Sequence, residues 1–206
     1  MAQLSLSRVE EALARAPNFD EDTGCGRAAV AMILDEQLDV LFIVRAIQEG
    51  DPWSGHVGFP GGRRSDADLD LFQTSVRETR EEIGLDLSVA RCLGILDEVR
   101  SPAAGPMAVV ARPYVFLAPQ VGRLTFNHEV ADTIRVPLVD LMAGKGRGQF
   151  VLDWRGAKVT LPCVECEGQR LWGMTLRMVD DLLHRIDGQG RGFDRHALQW
   201  GEEPSG

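Results

Sequence analysis

Apolar residues along the chain fall into short runs whose spacing predicts strands mixed with helices. Two β-like runs, Arg27–Leu34 and Leu38–Arg45, flank Asp35-Glu36-Gln37 and predict a hairpin. A helical period over residues 68–83 ends at Gly84, which is typical of a helix with a C-cap glycine. Because strands and helices do not alternate strictly, we expect an α/β fold with a mixed central sheet between helices.

The remaining segments extend this pattern. Amphipathic spacing predicts a short helix over residues 1–16 and another over Thr175–Ile186. Glycine and proline make residues 48–64 loop-rich, with a short strand expected at His56–Phe59. Further strands are expected at Arg91–Val99, Ala108–Leu117, Phe150–Trp154, Ala157–Leu161 and Arg170–Trp172, and a short helix at Pro137–Met142.

Composition and length indicate one globular domain. The 206 residues are 44% hydrophobic and 26% charged, which is typical of a globular protein with a real core. We divide the chain into an N-terminal helix and loop (1–26), a folded domain (27–187) and a glycine-rich polar tail (188–206). The N-terminus lacks the apolar core of a signal peptide and no window is apolar enough to cross a bilayer, so a cytoplasmic location without membrane contact is expected.

The net charge of −9 argues against a nucleic-acid-binding surface, which usually carries a basic stripe. It does not exclude a small nucleotide substrate, because a local cluster of metal and arginine can hold phosphates on an acidic protein. A homodimer is compatible with this sequence, which does not determine the oligomeric state. Cys163 and Cys166 have metal-ligand spacing but no second ligand pair follows them, so we expect reduced thiols on or near a strand.

The predicted helix over 68–83 carries a cluster of acids. Glu78, Glu81 and Glu82 stand at positions i, i+3 and i+4, which share one helical face. Three carboxylates on one face repel one another, and a divalent cation with a preference for oxygen, Mg²⁺ or Mn²⁺, turns that repulsion into attraction. A solvated, charged helix face is the competing interpretation. The glycine-rich run Gly58-Phe59-Pro60-Gly61-Gly62, which lets backbone groups approach a ligand, favours the metal.

These residues resemble the Nudix box, a pattern of glycine, glutamate, then Arg-Glu and Glu-Glu before a final glycine. Residues Arg77-Glu78-Thr79-Arg80-Glu81-Glu82-Ile83-Gly84 match its second half, with Thr79 at a position that is usually more apolar. The first half differs, since Arg77 lies one residue farther from Gly62 than in the general box. Leu69 stands where the box has Glu, and Asp68 is expected to substitute for it. The resemblance implies an α/β/α sandwich and hydrolysis of nucleoside diphosphate derivatives.

The longer spacing is similar to the coenzyme A pyrophosphatase branch of that family. Phe59-Pro60-Gly61-Gly62 and Leu171-Trp172-Gly173-Met174-Thr175 resemble parts of the branch signature, and the similarity spans roughly residues 27–186. Asp51 stands where the signature has a basic residue. The branch implies cleavage of coenzyme A or acyl-CoA into 3′,5′-ADP and (acyl-)4′-phosphopantetheine. Alternatives are ADP-ribose, another nucleotide-sugar or a nucleoside triphosphate as substrate, and a non-catalytic domain that senses a nucleotide.

The resemblance also implies residue roles. Glu78 and Glu82 are expected to bind Mg²⁺ or Mn²⁺ together with the Gly61 carbonyl, and Glu81 either binds metal or helps to generate the nucleophile through a water. Catalytic roles are expected for Glu81, Arg77 and Glu129, with Arg77 orienting the carboxylates and Glu129 as the candidate base; a surface acid is the alternative for Glu129. The expected substrate contacts are Arg45, Arg63 and Gly62.

Overall fold

The computed structural model describes residues 4–19, 25–49, 54–101, 108–154 and 156–187. Asp51 and the tail over 188–206, both considered above, lie outside these residues. The described strands are β1 (Gly26–Leu34), β2 (Asp39–Arg45), β3 (Val57–Gly58), β4 (Gly61–Arg63), β5 (Arg91–Ile95), β6 (Val99–Arg100), β7 (Val109–Leu117), β8 (Val130–Pro137), β9 (Arg147–Trp154), β10 (Ala157–Cys166) and β11 (Gln169–Trp172). The helices are α1 (Leu6–Leu13), α2 (Leu71–Ile83), α3 (Leu138–Met142) and α4 (Gly173–Asp187).

The large sheet is mixed, as predicted. β1 and β7 run parallel, and the other strand pairs of this sheet are antiparallel. β1 and β2 form the predicted hairpin, but they pair only near its turn, at Ile33 with Leu41 and Leu34 with Val40. Farther along, β4 takes the place beside β1, and β3 pairs with β2. The two hairpin strands therefore diverge, and the glycine-rich segment enters the gap between them.

Helices cover both faces of this sheet, which confirms the expected α/β/α sandwich. On one face α2 packs over a cluster that includes Ala31 and Ile33 of β1. On the other face α1 and α4 pack over a cluster that includes Ala28 and Met32 of the same strand. Alternate β1 side chains thus fill two cores, as expected for a strand covered on both faces.

A smaller antiparallel sheet has the order β11-β10-β9. Cys163 and Cys166 both lie on β10 as free thiols. Their separation of three positions along a strand points them to opposite faces, so they cannot share a metal ion. Both cysteines lie on a strand, as predicted, and their reduced state stays a prediction.

Several element boundaries differ from the sequence predictions. β8 was not predicted, although it pairs with β2 over its length. β4 forms within the segment that was predicted as loop, because its backbone pairs with β1. The predicted strand over Arg91–Val99 is interrupted, and it forms the short strands β5 and β6. The first helix is shorter than residues 1–16, because Ser5 caps it and it ends at Leu13.

An ionic network joins α4 to the segment that follows α1. The Arg185 guanidinium is buried, pairs with Asp97 and Asp181, and donates to the Arg15 carbonyl at 3.1 Å. Asn18 donates from its backbone and its side chain to the Asp97 carboxylate, each at 2.8 Å. These contacts fix the outer helices to the edge of the large sheet. None of the described helices has the length and apolar character needed to span a bilayer.

Candidate active site

Helix α2 carries Arg77 and the three predicted acids Glu78, Glu81 and Glu82, and its two ends are fixed locally. The Asp70 side chain caps the N-terminus by accepting from the Gln73 amide at 2.8 Å. Gly84 ends the helix in a left-handed conformation, with φ of 71°, and donates to the Arg80 carbonyl. Leu71 and Ile83 are buried against the sheet. The caps and the buried face fix the rotation of α2 about its own axis. The acidic side chains therefore project from its flank in a fixed direction.

Arg77 is the centre of a hydrogen-bond network on this flank. Its Nε and Nη2 donate to the two oxygens of Asp68, both at 2.8 Å. Its Nη1 donates to Glu78 at 2.9 Å and to Glu81 at 3.0 Å. The Arg63 carbonyl accepts from Nη2 at 3.3 Å. The N–H groups of Arg77 thus donate to neighbouring protein groups. This supports a role in orienting the carboxylates of Glu78 and Glu81.

Asp68 is buried and held from three sides. In addition to Arg77, its Oδ2 accepts from the Ser65 amide at 2.9 Å and from the Thr74 hydroxyl at 3.0 Å. The Arg77 guanidinium holds the pKa of this carboxyl well below its usual range, and the carboxylate in turn raises the Arg77 pKa. Asp68 therefore anchors Arg77 from the loop before the helix.

Glu82 is the most deeply buried of the acids on α2, with 3% of its surface exposed. Its Oε2 accepts from the Gly61 amide at 2.8 Å. Burial, with the charges of Glu78 and Glu129, raises its pKa to about 8 against the opposing effects of the Gly61 hydrogen bond and the Arg45 charge. The same causes act on Glu78, whose pKa is raised by burial and by the Glu81 and Glu129 charges against the opposing effect of Arg77. The carboxylates of Glu78, Glu82 and Glu129 are therefore close enough for their charges to act on one another.

Glycine at positions 61 and 62 makes this close packing possible. Gly61 has φ of 152°, and a Cβ there would lie 2.3 Å from the Ala29 carbonyl oxygen. A Cβ on Gly62 would lie 2.5 Å from the Glu78 carboxyl carbon. The backbone of β4 thus lies directly against the carboxylates of α2.

Glu129 reaches the site from the loop before β8. The amides of Thr125 and Asn127 donate to the carbonyls of Ile83 and Glu82, each at 3.0 Å, which docks this loop on the end of α2. The Asn127 side chain then accepts from the Glu129 amide at 2.8 Å. The Glu129 carbonyl accepts from the Ala46 amide at 2.7 Å, just beyond β2. Loop, helix and strand together fix the position of Glu129.

The predicted substrate contacts lie in different places. Arg45 ends β2 and is close enough for its charge to lower the Glu82 pKa. Gly62 touches Glu78, whereas Arg63 points to the opposite face of the sheet, where its guanidinium covers Gly26. Glu81 is on the rim of the site, with 54% of its side chain exposed.

The donor set fits a hard divalent cation. Among the described residues, no three His, Cys, Asp or Glu side chains converge on one point as ligands. Glu78 and Glu81 each turn one oxygen to Arg77, and Glu82 turns one to Gly61. The second oxygen of each carboxylate accepts no hydrogen bond from the described residues. Crowded carboxylate oxygens beside a glycine backbone are the donors that Mg²⁺ and Mn²⁺ prefer.

Sequence reasoning missed the supports of this site. Thr74 and Ser65 were not singled out, although both hold Asp68. The docking of Thr125 and Asn127 on α2 was also missed. The Asn-x-Glu spacing at 127–129 is a usable signal, because an asparagine often accepts from the amide two residues later.

The comparisons with known proteins agree with this fold. A family model described as NUDIX domain matches residues 25–153, more than half of the chain. The chain is 32% identical over 138 residues, 66% of its length, to a human protein named mitochondrial coenzyme A diphosphatase. It is 26% identical over 188 residues to an uncharacterised Nudix hydrolase of Yersinia pestis, with 89% of this chain and 90% of that protein covered.

Coverage of the curated relatives differs in extent. The chain spans 58% of the human protein and 39% of a Schizosaccharomyces pombe protein to which it is 36% identical. Among solved structures, the MutT protein of Methanosarcina mazei is similar with a TM-score of 0.51 and 18% identity, over 86% of this chain and 99% of that one. At that identity the likeness shows the fold. The matched family model and the shared fold together place this chain in the Nudix family.

Proposed function

We propose that this chain hydrolyses the phosphoanhydride bond of coenzyme A or acyl-CoA with Mg²⁺ or Mn²⁺, releasing 3′,5′-ADP and (acyl-)4′-phosphopantetheine. The observation that carries the hydrolytic part is that the Glu82 carboxylate accepts from the Gly61 amide, the Glu78 carboxylate lies against Gly62, and Glu129 is close enough for its charge to act on both acids. Buried carboxylates that repel one another are costly, and a divalent cation offsets that cost.

The choice of coenzyme A rests on two supports. The motif Phe59-Pro60-Gly61-Gly62 is similar to the branch signature, and the human relative is named for coenzyme A diphosphatase activity. Because the chain spans 58% of that relative, the name of the relative does not by itself assign a substrate to this chain, and coenzyme A is proposed as the substrate.

The proposed roles follow from the contacts described above. Glu78, Glu82 and the Gly61 carbonyl hold the cation, with Glu81 at the rim. The bound cation neutralises diphosphate charge and makes a water more acidic. Arg77, held by Asp68, orients Glu78 and Glu81.

Glu129 is the proposed general base. A water oxygen forms a new bond to phosphorus, its proton passes to the Glu129 carboxylate, and the bridging P–O bond breaks with its electrons on the departing phosphate. The charge of Glu129 acts on both Glu78 and Glu82, whereas that of Glu81 is a cause of the shift at Glu78. This proximity of Glu129 to both Glu78 and Glu82 supports the role of base.

A substrate panel tests the proposal. The purified protein is incubated with Mg²⁺ or Mn²⁺ and with coenzyme A, ADP-ribose, NADH and diadenosine polyphosphates, and the products are identified by mass. We expect 3′,5′-ADP and 4′-phosphopantetheine from coenzyme A. Cleavage of another substrate while coenzyme A stays intact contradicts the substrate assignment. Absence of metal-stimulated cleavage across the panel contradicts the enzymatic role and favours a nucleotide sensor.

A further inference from the structure

Arg177 lies on α4, on the face of the sheet opposite to α2. Arg177 is half-buried. Its Nη1 donates a long hydrogen bond, of 3.4 Å, to the Arg100 carbonyl. Among the described residues no carboxylate pairs with it. Burial lowers its pKa without any opposing contribution from an acid. A guanidinium that is partly removed from water and pairs with no carboxylate of the described residues is well suited to an anionic ligand.

Several other arginines of the described residues pair with carboxylates. Arg185 bonds two aspartates, and Arg147 pairs with Asp180. Arg27 and Arg112 both bind the fully buried carboxylate of Glu98. The chain therefore supplies an acid at these positions, and Arg177 differs from them.

Arg63 extends toward the same region from the other side. It pairs with Ala28 in the sheet, and Ala28 belongs to the core cluster that α4 covers. Paired residues of neighbouring strands point to the same face, so the Arg63 side chain and α4 share one face. The Arg63 guanidinium lies over Gly26, where an added Cβ would be 2.3 Å from Nη1.

The strand order gives the spacing of these two arginines. β1, which Arg63 covers, pairs with β7, and β7 pairs with β6, whose Arg100 carbonyl accepts from Arg177. Neighbouring strands lie about 5 Å apart. Gly26 pairs with Val109, and Arg100 pairs with Val110, so the contacts lie at about the same level of the sheet. The backbone positions that the two guanidinium groups contact, Gly26 and Arg100, are thus two strand intervals apart, about 10 Å, and side chains that extend from there can meet a tetrahedral oxyanion with its attached ribose.

The backbone of β4 joins this region to the candidate active site. The Arg63 carbonyl accepts from Arg77 at 3.3 Å, and the adjacent Gly62 touches Glu78. One residue, Arg63, therefore has its backbone at the carboxylates and its side chain on the opposite face. A ligand whose diphosphate lies at the carboxylates can present another charged group on the Arg63 and Arg177 side.

We propose that Arg177, with Arg63, forms a subsite for a second anionic group of the substrate, a ribose phosphomonoester separate from the diphosphate that is cleaved. This inference rests on the proposed function, because coenzyme A carries such a group at its 3′ position. Charge-assisted hydrogen bonds from a guanidinium fork are well suited to phosphate. Arg177 is thereby a specificity-determining residue of the proposed reaction.

Ligand binding tests the subsite without requiring turnover. Titration calorimetry compares 3′,5′-ADP with 5′-AMP, which lacks the 3′-phosphate, on the wild type, Arg177→Gln, Arg177→Lys and Arg63→Gln. Arg135→Gln is the matched control, because it removes the same charge from an exposed position on β8. We expect the wild type and the control to prefer 3′,5′-ADP by about tenfold or more. Arg177→Gln should lose that preference while its affinity for 5′-AMP is unchanged, and Arg177→Lys should retain part of it.

The outcomes separate the subsite from the proposed function. An undiminished preference in Arg177→Gln, no preference in the wild type, or equal weakening of both nucleotides by Arg177→Gln overturns the subsite. Coenzyme A hydrolysis in the substrate panel is a separate readout. A wild type that prefers 3′,5′-ADP through Arg177 but leaves coenzyme A intact keeps the subsite and removes the proposed function. A wild type that cleaves coenzyme A without any 3′-phosphate preference keeps the proposed function and removes the subsite.

Discussion

The guanidinium of Arg77 binds both oxygens of the Asp68 carboxylate, with Nε to Oδ1 and Nη2 to Oδ2 each at 2.8 Å. This bidentate pair joins the loop before α2 to the middle of the helix. It leaves Nη1 directed at Glu78 and Glu81. Asp68 lies nine residues before Arg77, one residue farther from it than the glutamate of the general family box.

Replacing Asp68 with Asn should weaken both the fold and the catalytic site. The variant leaves Arg77 without its buried counter-ion, and breaking such a pair costs about 3 kcal/mol of the free energy of unfolding. Turnover should fall by about 10- to 100-fold because Arg77 no longer orients the carboxylates. Urea unfolding and steady-state kinetics measure the two effects. Asp66→Asn, at an exposed position in the same loop, should change neither, and an equally active Asp68→Asn variant contradicts the anchoring role.

Acid should remove the contribution of this pair. Arg77 holds the folded-state pKa of Asp68 well below its unfolded value, so the stabilisation is present above the unfolded pKa of about 4 and is lost as the pH falls toward the folded value. Between about pH 5 and pH 2 the wild type should lose more free energy of unfolding than Asp68→Asn. Urea titrations at several pH values measure the difference, and parallel curves contradict the assignment.

Replacing Glu82 with Gln should separate catalysis from folding. Burial already favours the uncharged form of Glu82, whose pKa is raised to about 8, and glutamine keeps that uncharged state and shape, so the free energy of unfolding without added metal should not decrease. Loss of a proposed cation ligand should lower the metal-dependent rate by about 10³-fold. Thermal unfolding and phosphate-release assays measure the two quantities. Glu36→Gln, in the exposed turn between β1 and β2, is the matched control. Unchanged turnover in purified Glu82→Gln contradicts the metal assignment.

The roles of Glu129 and Glu81 should differ in their kinetics. Glu129→Gln should lower kcat by about 10²- to 10⁴-fold and remove the acidic limb of the pH–rate profile, as expected for loss of a general base. Glu81→Gln should keep that limb and require more Mg²⁺ or Mn²⁺ for half-maximal rate. Rate profiles at saturating metal distinguish the two. The reverse pattern assigns the base to Glu81.

Alanine at three glycine positions should affect stability and turnover to different extents. Gly61→Ala places a Cβ against the Ala29 carbonyl at a positive φ, so the fold should be destabilised. Gly62→Ala meets the movable end of Glu78, so stability should be kept while the displaced carboxylate lowers turnover by about 10²-fold. Gly58→Ala meets nothing within 4 Å and should be close to neutral. Melting temperatures and rates for the three variants test this order, and an active Gly62→Ala contradicts the close packing.

Local patterns in the sequence predicted the parts of the site that depend on local structure. The helix with Glu78 and Glu82, its C-cap at Gly84 and the β1–β2 hairpin follow from periodicity and capping within a few residues. Hydrophobic spacing also indicated the mixed sheet between helices.

The remaining features depend on partners that are distant in sequence. β4 is a strand because Gly61, Gly62 and Arg63 pair with β1, although glycine has little intrinsic preference for strands. The start of α2 is set by Asp70 and by the burial of Asp68, and the latter depends on Arg77 nine residues later. The direction of Arg63 follows from its register with Ala28, which periodicity in a loop-like segment could not reveal.

The docking of Thr125 and Asn127 on the end of α2 divides the connection between β7 and β8 into two parts with different freedom to evolve. The part from Thr125 to Glu129 is tied to the carbonyls of Glu82 and Ile83. Residues 119–124 precede that attachment. Insertions or deletions there can reshape the entrance to the cleft while Glu129 keeps its position. Such a division lets descendants of one ancestral enzyme acquire new substrates without rebuilding the chemistry.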